Sequence, residues 1–105
     1  MKTEIIVTFQ VEGFHFWKNA PDEVAFLRDN HRHIFHITAY KEVSHSDRDI
    51  EFILLKREMK KQFPYEPFQF GEMSCEMIAS ALVKVFDLSA CEVWEDKENG
   101  AIVRK

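Results

Sequence analysis

Three histidines in this chain stand where a metal ion could be held. The stretch Asn30-His31-Arg32-His33-Ile34-Phe35-His36 carries two imidazoles one residue apart, and His15 precedes them. In an extended segment side chains alternate between faces, so His31 and His33 point the same way, about 6.5 to 7 Å apart along the strand. Two imidazoles so spaced can share one metal ion. A third ligand from the neighbouring strand completes the three-nitrogen set of a catalytic zinc, whose fourth position stays open for water or substrate. His15, at the end of the preceding strand candidate, is the natural third. His36 falls on the opposite face and is excluded. A His-x-His pair alone is a weak signal. The plain alternative for His15 is a core histidine packed among Phe14, Phe16 and Trp17.

The elements that must position these residues follow from periodicity. Thr3 to Glu12 alternates, with Ile5, Val7, Phe9 and Val11 on one side and Ile6, Thr8, Gln10 and Glu12 on the other, the pattern of a half-buried strand. Gly13 leads into the aromatic cluster around His15, and Asn19-Ala20-Pro21-Asp22-Glu23 reads as a loop or short helical turn. Arg32 to Val43 is a second strand, with His31, His33, Phe35, Ile37 and Ala39 on one face. Ser44-His45-Ser46-Asp47 has the residue types that accept hydrogen bonds from the free amides of a first helical turn. Beyond it Phe52, Leu55 and Met59, with Ile50, Ile53 and Leu54, give an apolar helical face opposite a solvated Lys56, Lys60 and Lys61. Prolines interrupt Phe63-Pro64-Tyr65-Glu66-Pro67-Phe68. Ser74 can cap a second helix bearing Ile78, Ala81, Leu82 and Val85 and ending near Asp87. Ala90–Trp94 and Ala101–Arg104 form two short strands around Asp96-Lys97-Glu98-Asn99-Gly100, whose Asn-Gly is a hairpin signal.

The order strand, strand, helix, helix, strand, strand predicts an α+β layer structure, a single domain over residues 1–105 with one four-stranded antiparallel sheet and both helices on one face. With 105 residues, 46% of them hydrophobic, the chain has apolar mass for one modest core. Ten Phe and two Trp are more apolar surface than a lone protomer of this size easily buries, so self-association is expected. A net charge of -4 and no basic run longer than Lys60-Lys61 leave no electrostatic footprint for nucleic acid. No apolar stretch suits a bilayer span, no secretory leader is read, and Cys75 and Cys91 lack CxxC spacing. Together these point to a reduced, cytoplasmic protein without nucleic-acid or membrane partners.

The motifs in sequence order resemble the 6-pyruvoyl-tetrahydropterin synthase and 6-carboxy-tetrahydropterin synthase (queuosine pathway) family. The resemblance rests on His15 after an aromatic-rich first strand, His31-x-His33, Asp49-Ile50-Glu51-Phe52 with Leu55-Lys56, Met73-Ser74-Cys75-Glu76-Met77-Ile78-Ala79, and Glu92-Val93-Trp94-Glu95-Asp96. It spans nearly the whole chain and implies a tunnelling fold (T-fold), commonly a hexamer built as a dimer of trimers with sites between subunits. It implies Zn2+ on His15, His31 and His33, a glutamate on the third strand, Glu95, holding the pterin ring, and a pocket lined by Ser74, Cys75 and Glu76. Such roles suit the residue types. A carboxylate accepts two parallel hydrogen bonds from an amino-pyrimidine edge, and free amides at a helix start serve acceptors.

Two departures from that family pattern bear on activity. Where the family places a catalytic cysteine, four residues before the first histidine of the pair, this chain has Leu27, and no Asp-His segment lies between Gln62 and Glu72. Glu23 and Asp29 are the candidate replacements for the general base, with His45 a weaker one. Two functions are therefore carried. One is a zinc-dependent, lyase-like enzyme acting on a reduced pterin or related purine-derived compound. The other is a non-catalytic oligomer that keeps the pocket to bind such a ligand.

Overall fold

In a computed structural model describing all 105 residues, the first 43 residues form mainly two long strands joined by a short helical excursion. β1 (Thr3–His15) buries every second residue from Val7 to His15, as its alternation requires. A 3-10 helix (Asp22–Arg28) carries the chain across, and β2 (His31–Val43) returns antiparallel to β1 along its full length. The register pairs His15 with His31 and Gly13 with His33, so the three histidines occupy adjacent positions at one end of the sheet.

Two helices, three further strands and their loops complete the chain. These are α1 (Phe52–Lys60), β3 (Phe68–Gly71), α2 (Cys75–Phe86), β4 (Ala90–Glu95) and β5 (Asn99–Arg104). The strand order is β3-β1-β2-β4-β5, and β3 runs parallel to β1. The expected four-stranded antiparallel T-fold sheet is therefore incorrect: the sheet has five strands, is mixed, and is accompanied by three helices counting the 3-10 one. The cause is the segment Phe68-Gln69-Phe70-Gly71, too short and too close to Pro67 to show a period, which adds to the free edge of β1. Phe68 and Phe70 there cluster with Phe63 in a triangle of tilted and edge-on rings, with centroids 4.9 to 5.8 Å apart. A register shift falls between Phe14 and His15, and Gly71 takes φ +66, a left-handed conformation suited to glycine.

The core lies on one face. Fifteen buried residues form one cluster, among them Val7, Phe9, Val11, Phe35, Ile37 and Val93 from the sheet, Met59 from α1, and Ile78, Ala79 and Leu82 from α2. Phe35 is fully buried and rests on Phe70 at a centroid separation of 4.7 Å. Removing a phenyl group from such a site leaves a cavity and costs about 3 to 5 kcal/mol. On the other face Ile6, Trp94 and Ile102 stay exposed, as do Phe52, Ile53 and Leu54 at the start of α1.

Three local expectations are corrected. α1 begins at Phe52, capped by Glu51, whose carboxylate accepts from Ile53 N. The Ser44–Asp47 start fails because the Ser44 amide and hydroxyl both donate to Asp49, closing a turn instead. Lys56 is half-buried instead of fully solvated. The last hairpin turns at Asp96 and Lys97, both at positive φ, instead of at Asn99-Gly100. Gly100 lies in β5 opposite Trp94, where an added Cβ would come within 2.5 Å of Val93 O. The cap of α2 is as expected: Ser74 Oγ accepts from Met77 N, and Asp87 closes the helix in the left-handed region. No helix is long and apolar enough to cross a membrane. Both cysteines are free thiols and buried.

Candidate metal centre

His15, His31 and His33 converge. One ligand nitrogen from each lies within 4.8 Å of the others, and the ring centroids are 4.5 to 5.2 Å apart. This follows from register: adjacent positions on paired strands face the same way, and His33 is the next residue along on that face. Phe35 forms the floor, with its ring edge-on to His15 at 5.1 Å and to His33 at 5.6 Å. Gly13, opposite His33, leaves room for Phe70 beneath this floor, since a Cβ there would sit 2.6 Å from the Phe70 ring.

The hydrogen bonds assign the tautomers. His15 Nδ1 lies 2.9 Å from Met73 O, His31 Nδ1 lies 2.8 Å from Asp29 O, and His33 Nδ1 lies 2.6 Å from Asp96 Oδ2. A main-chain carbonyl and an ionised carboxylate only accept, so each Nδ1 must donate. In the neutral imidazoles every Nε2 is then an unprotonated lone pair. His15 Nε2 and His33 Nε2 are buried and have no hydrogen-bond partner. Buried polar atoms without partners are rare and call for a ligand. Three orphaned or converging imidazole lone pairs are what a cation satisfies, so this group can hold a metal ion.

Glu95 completes the electrostatics. Its Oε2 is 3.1 Å from His15 Nε2 and its Oε1 is 3.6 Å from His33 Nε2. The first contact is close but not aligned as a hydrogen bond. Burial opposes a charge on His15, yet the Glu95 contact and the Met73 carbonyl outweigh it and raise the imidazole above its ordinary 6.5. Reciprocally, contact with His15 holds Glu95 below its ordinary 4.5 in spite of burial. Without a metal, each shift favours the charged form of its own group. Asp96 is also held low, first by His33 Nδ1 and then by the Ile34 amide.

His15, His31 and Glu95 open onto a cavity of about 510 Å³, within the range of small-molecule sites. Ser74, Cys75, Glu76 and Glu95 all line it, as do His15, His31 and Leu27. Glu95 ends β4, which the inserted β3 makes the fourth strand. The Ser74 hydroxyl is occupied in capping α2. The Cys75 thiol donates to Glu95 Oε2 at 3.6 Å, and burial, then the Glu95 charge, pushes it up to about 12, which keeps it protonated and poorly nucleophilic. Glu23 and Asp29 are exposed and do not line the cavity; Asp29 contributes its main-chain carbonyl to His31 instead. His36 pairs across to Trp94 on the other face, and His45 sits beside Asp49 away from the cavity.

Trp17, Met73 and Asn99 line the cavity without having been singled out by sequence reasoning, and Asp96 supports the centre from outside it. Trp17 carries a local signal, since it ends the aromatic run around His15. Asp96 has none, because its partners lie 62 and 63 residues away. No protein-family model matches this chain, and no curated protein matches it.

Proposed function

We propose that His15, His31 and His33 hold one zinc ion and that the cavity beside it takes a reduced pterin or related purine-derived compound, on which the protein acts as a zinc-dependent lyase. The observation that carries this reading is the convergence of three imidazoles, each with Nδ1 engaged, at the wall of a cavity that also presents the Glu95 carboxylate. Zinc would supply a Lewis acid for a side-chain oxygen of the ligand. Glu95, ionised at neutral pH, is an acceptor for the amino and ring N–H groups of an amino-pyrimidine edge. Trp17, Phe16 and Met73 offer apolar surface for a flat ring. The motif resemblance to 6-pyruvoyl- and 6-carboxy-tetrahydropterin synthases supports the same ligand class.

A second reading is favoured by the composition of that wall. Leu27 lines the cavity where the resembled enzymes carry a cysteine, Cys75 is held protonated, and Glu23 and Asp29 lie outside. Under this reading the protein binds the ligand without turning it over. Incubation of the zinc-loaded protein with 7,8-dihydroneopterin triphosphate, followed by mass spectrometry and calorimetry, separates the two. New product masses are expected for the lyase. Binding without product selects the second reading, and neither binding nor product refutes the ligand class.

The exposed Ile6, Trp94 and Ile102 on the open sheet face, with Phe52, Ile53 and Leu54 on α1, support self-association into a closed symmetric assembly, for which the motif resemblance implies a hexamer formed as a dimer of trimers. Light scattering at micromolar concentration tests it. A monomer would refute the assembly.

A further inference from the structure

The three histidines are not anchored alike. Met73 O and Asp29 O hold His15 and His31 through the main chain, so no side-chain substitution removes those acceptors. His33 alone depends on a side chain, that of Asp96. Asp96 sits at φ +53 in the β4–β5 turn, and this left-handed conformation folds its carboxylate back over the start of β2. There it makes a three-point attachment. Oδ2 accepts from His33 Nδ1 at 2.6 Å, Oδ1 accepts from Ile34 N at 2.9 Å, and the Asp96 amide donates to Ile34 O at 2.9 Å.

We infer that Asp96 is a positioning residue of the metal centre: its carboxylate holds His33 as the Nδ1–H tautomer with Nε2 free for the metal, and ties that ligand to the β4–β5 turn. The inference rests on the metal-centre reading above. Its chemical content lies in the two oxygens. Both partners of the Asp96 carboxylate, Ile34 N and His33 Nδ1, are donors, and only a carboxylate accepts from both at once. An asparagine keeps one acceptor. If its oxygen stays on Ile34 N, its NH2 group faces His33 Nδ1 and is satisfied only when the imidazole moves its proton to Nε2, the nitrogen that must be bare to ligate. Asp96→Asn therefore preserves the turn and selects the wrong tautomer, whereas Asp96→Ala removes both contacts.

The test uses the full-length chain, stripped by chelator and titrated with Co2+ as a spectroscopic stand-in, in parallel with unfolding of the metal-free protein. Wild type should bind one Co2+ with a tetrahedral absorption band. Asp96→Asn should stay folded without metal yet bind Co2+ about 10- to 100-fold more weakly. Asp96→Ala should lose both stability and affinity. Wild-type affinity in a folded Asp96→Asn overturns the inference and leaves the metal centre standing. Failure of wild type itself to take up Co2+ removes the metal centre, and the role of Asp96 with it. One readout needs no variant: long-range 1H–15N spectra of the metal-free wild-type protein at alkaline pH should show His33 as the Nδ1–H tautomer. An Nε2–H tautomer there overturns the inference whatever the variants do.

Discussion

Replacing Glu95 by Gln should weaken the metal-free protein most within a defined pH window. The pair to be broken is His15 Nε2 and Glu95 Oε2, 3.1 Å apart, with 10% and 27% of their side chains exposed. At that separation two unit charges attract by about 5 kcal/mol for an effective dielectric constant near 20. Desolvation of both groups and solvent access to Glu95 take back most of this, leaving about 1 to 3 kcal/mol. His15 is raised on folding, so its share is complete below its ordinary 6.5 and is lost as pH rises through the raised value. Glu95 is lowered, so its share is complete above its ordinary 4.5 and is lost as pH falls through the lowered value. Both shares are present between 4.5 and 6.5. Denaturant unfolding of chelated wild type and Glu95→Gln at constant m should show the full difference there, shrinking toward pH 8 as the imidazole loses its proton. A difference that is the same at pH 5.5 and pH 8 would mean that Glu95 acts through shape or hydrogen bonding, not through the charge on His15.

Other outcomes follow from particular contacts. Gly13→Ala places a Cβ 2.6 and 2.8 Å from the Phe70 ring, and the resulting overpacking, about 1 to 3 kcal/mol, should exceed the 0.4 to about 1 kcal/mol gained by stiffening the unfolded chain. A midpoint equal to or above wild type in urea would contradict the packing described beneath the histidines. Cys75 and Cys91, both buried and pushed up to about 12, should resist iodoacetamide at pH 8 in the folded protein and react in denaturant; rapid labelling of the native protein would refute their burial. Phe35→Ala should cost about 3 to 5 kcal/mol and lower metal affinity as well, since the same ring supports the core, His15 and His33. Unchanged metal affinity in a folded Phe35→Ala protein would show that the histidines need no floor.

The histidine cluster was legible in the sequence because strand geometry translates directly into side-chain direction. The alternation through Val7, Phe9 and Val11 gives β1 its inward face, and the same parity carries on to His15; the parity of β2 aligns His31 and His33 with Phe35. Ser74 was legible for a similar reason, since a cap acts within one turn. What could not be read is set by contacts remote in sequence. β3 has no detectable period in four residues and exists because the edge of β1 near Gly13 accepts it. α1 starts late because Asp49 captures Ser44, a competition between two plausible turns. The Asn99-Gly100 signal misleads because Gly100 answers a steric demand from Val93 and Trp94, not a turn. Asp96 reveals its role only when β4 is laid beside β2.

The central claim is that His15, His31 and His33 form one metal centre. Metal analysis of the purified chain, with X-ray absorption at the zinc edge, tests it most directly. One zinc per chain is expected, with a first shell of three imidazole nitrogens at about 2.0 to 2.1 Å. Single His15→Ala, His31→Ala and His33→Ala proteins should each lose it, whereas His36→Ala, on the other face, should keep it. Zinc retained in all three of the first set, or a shell without imidazole, would contradict the centre.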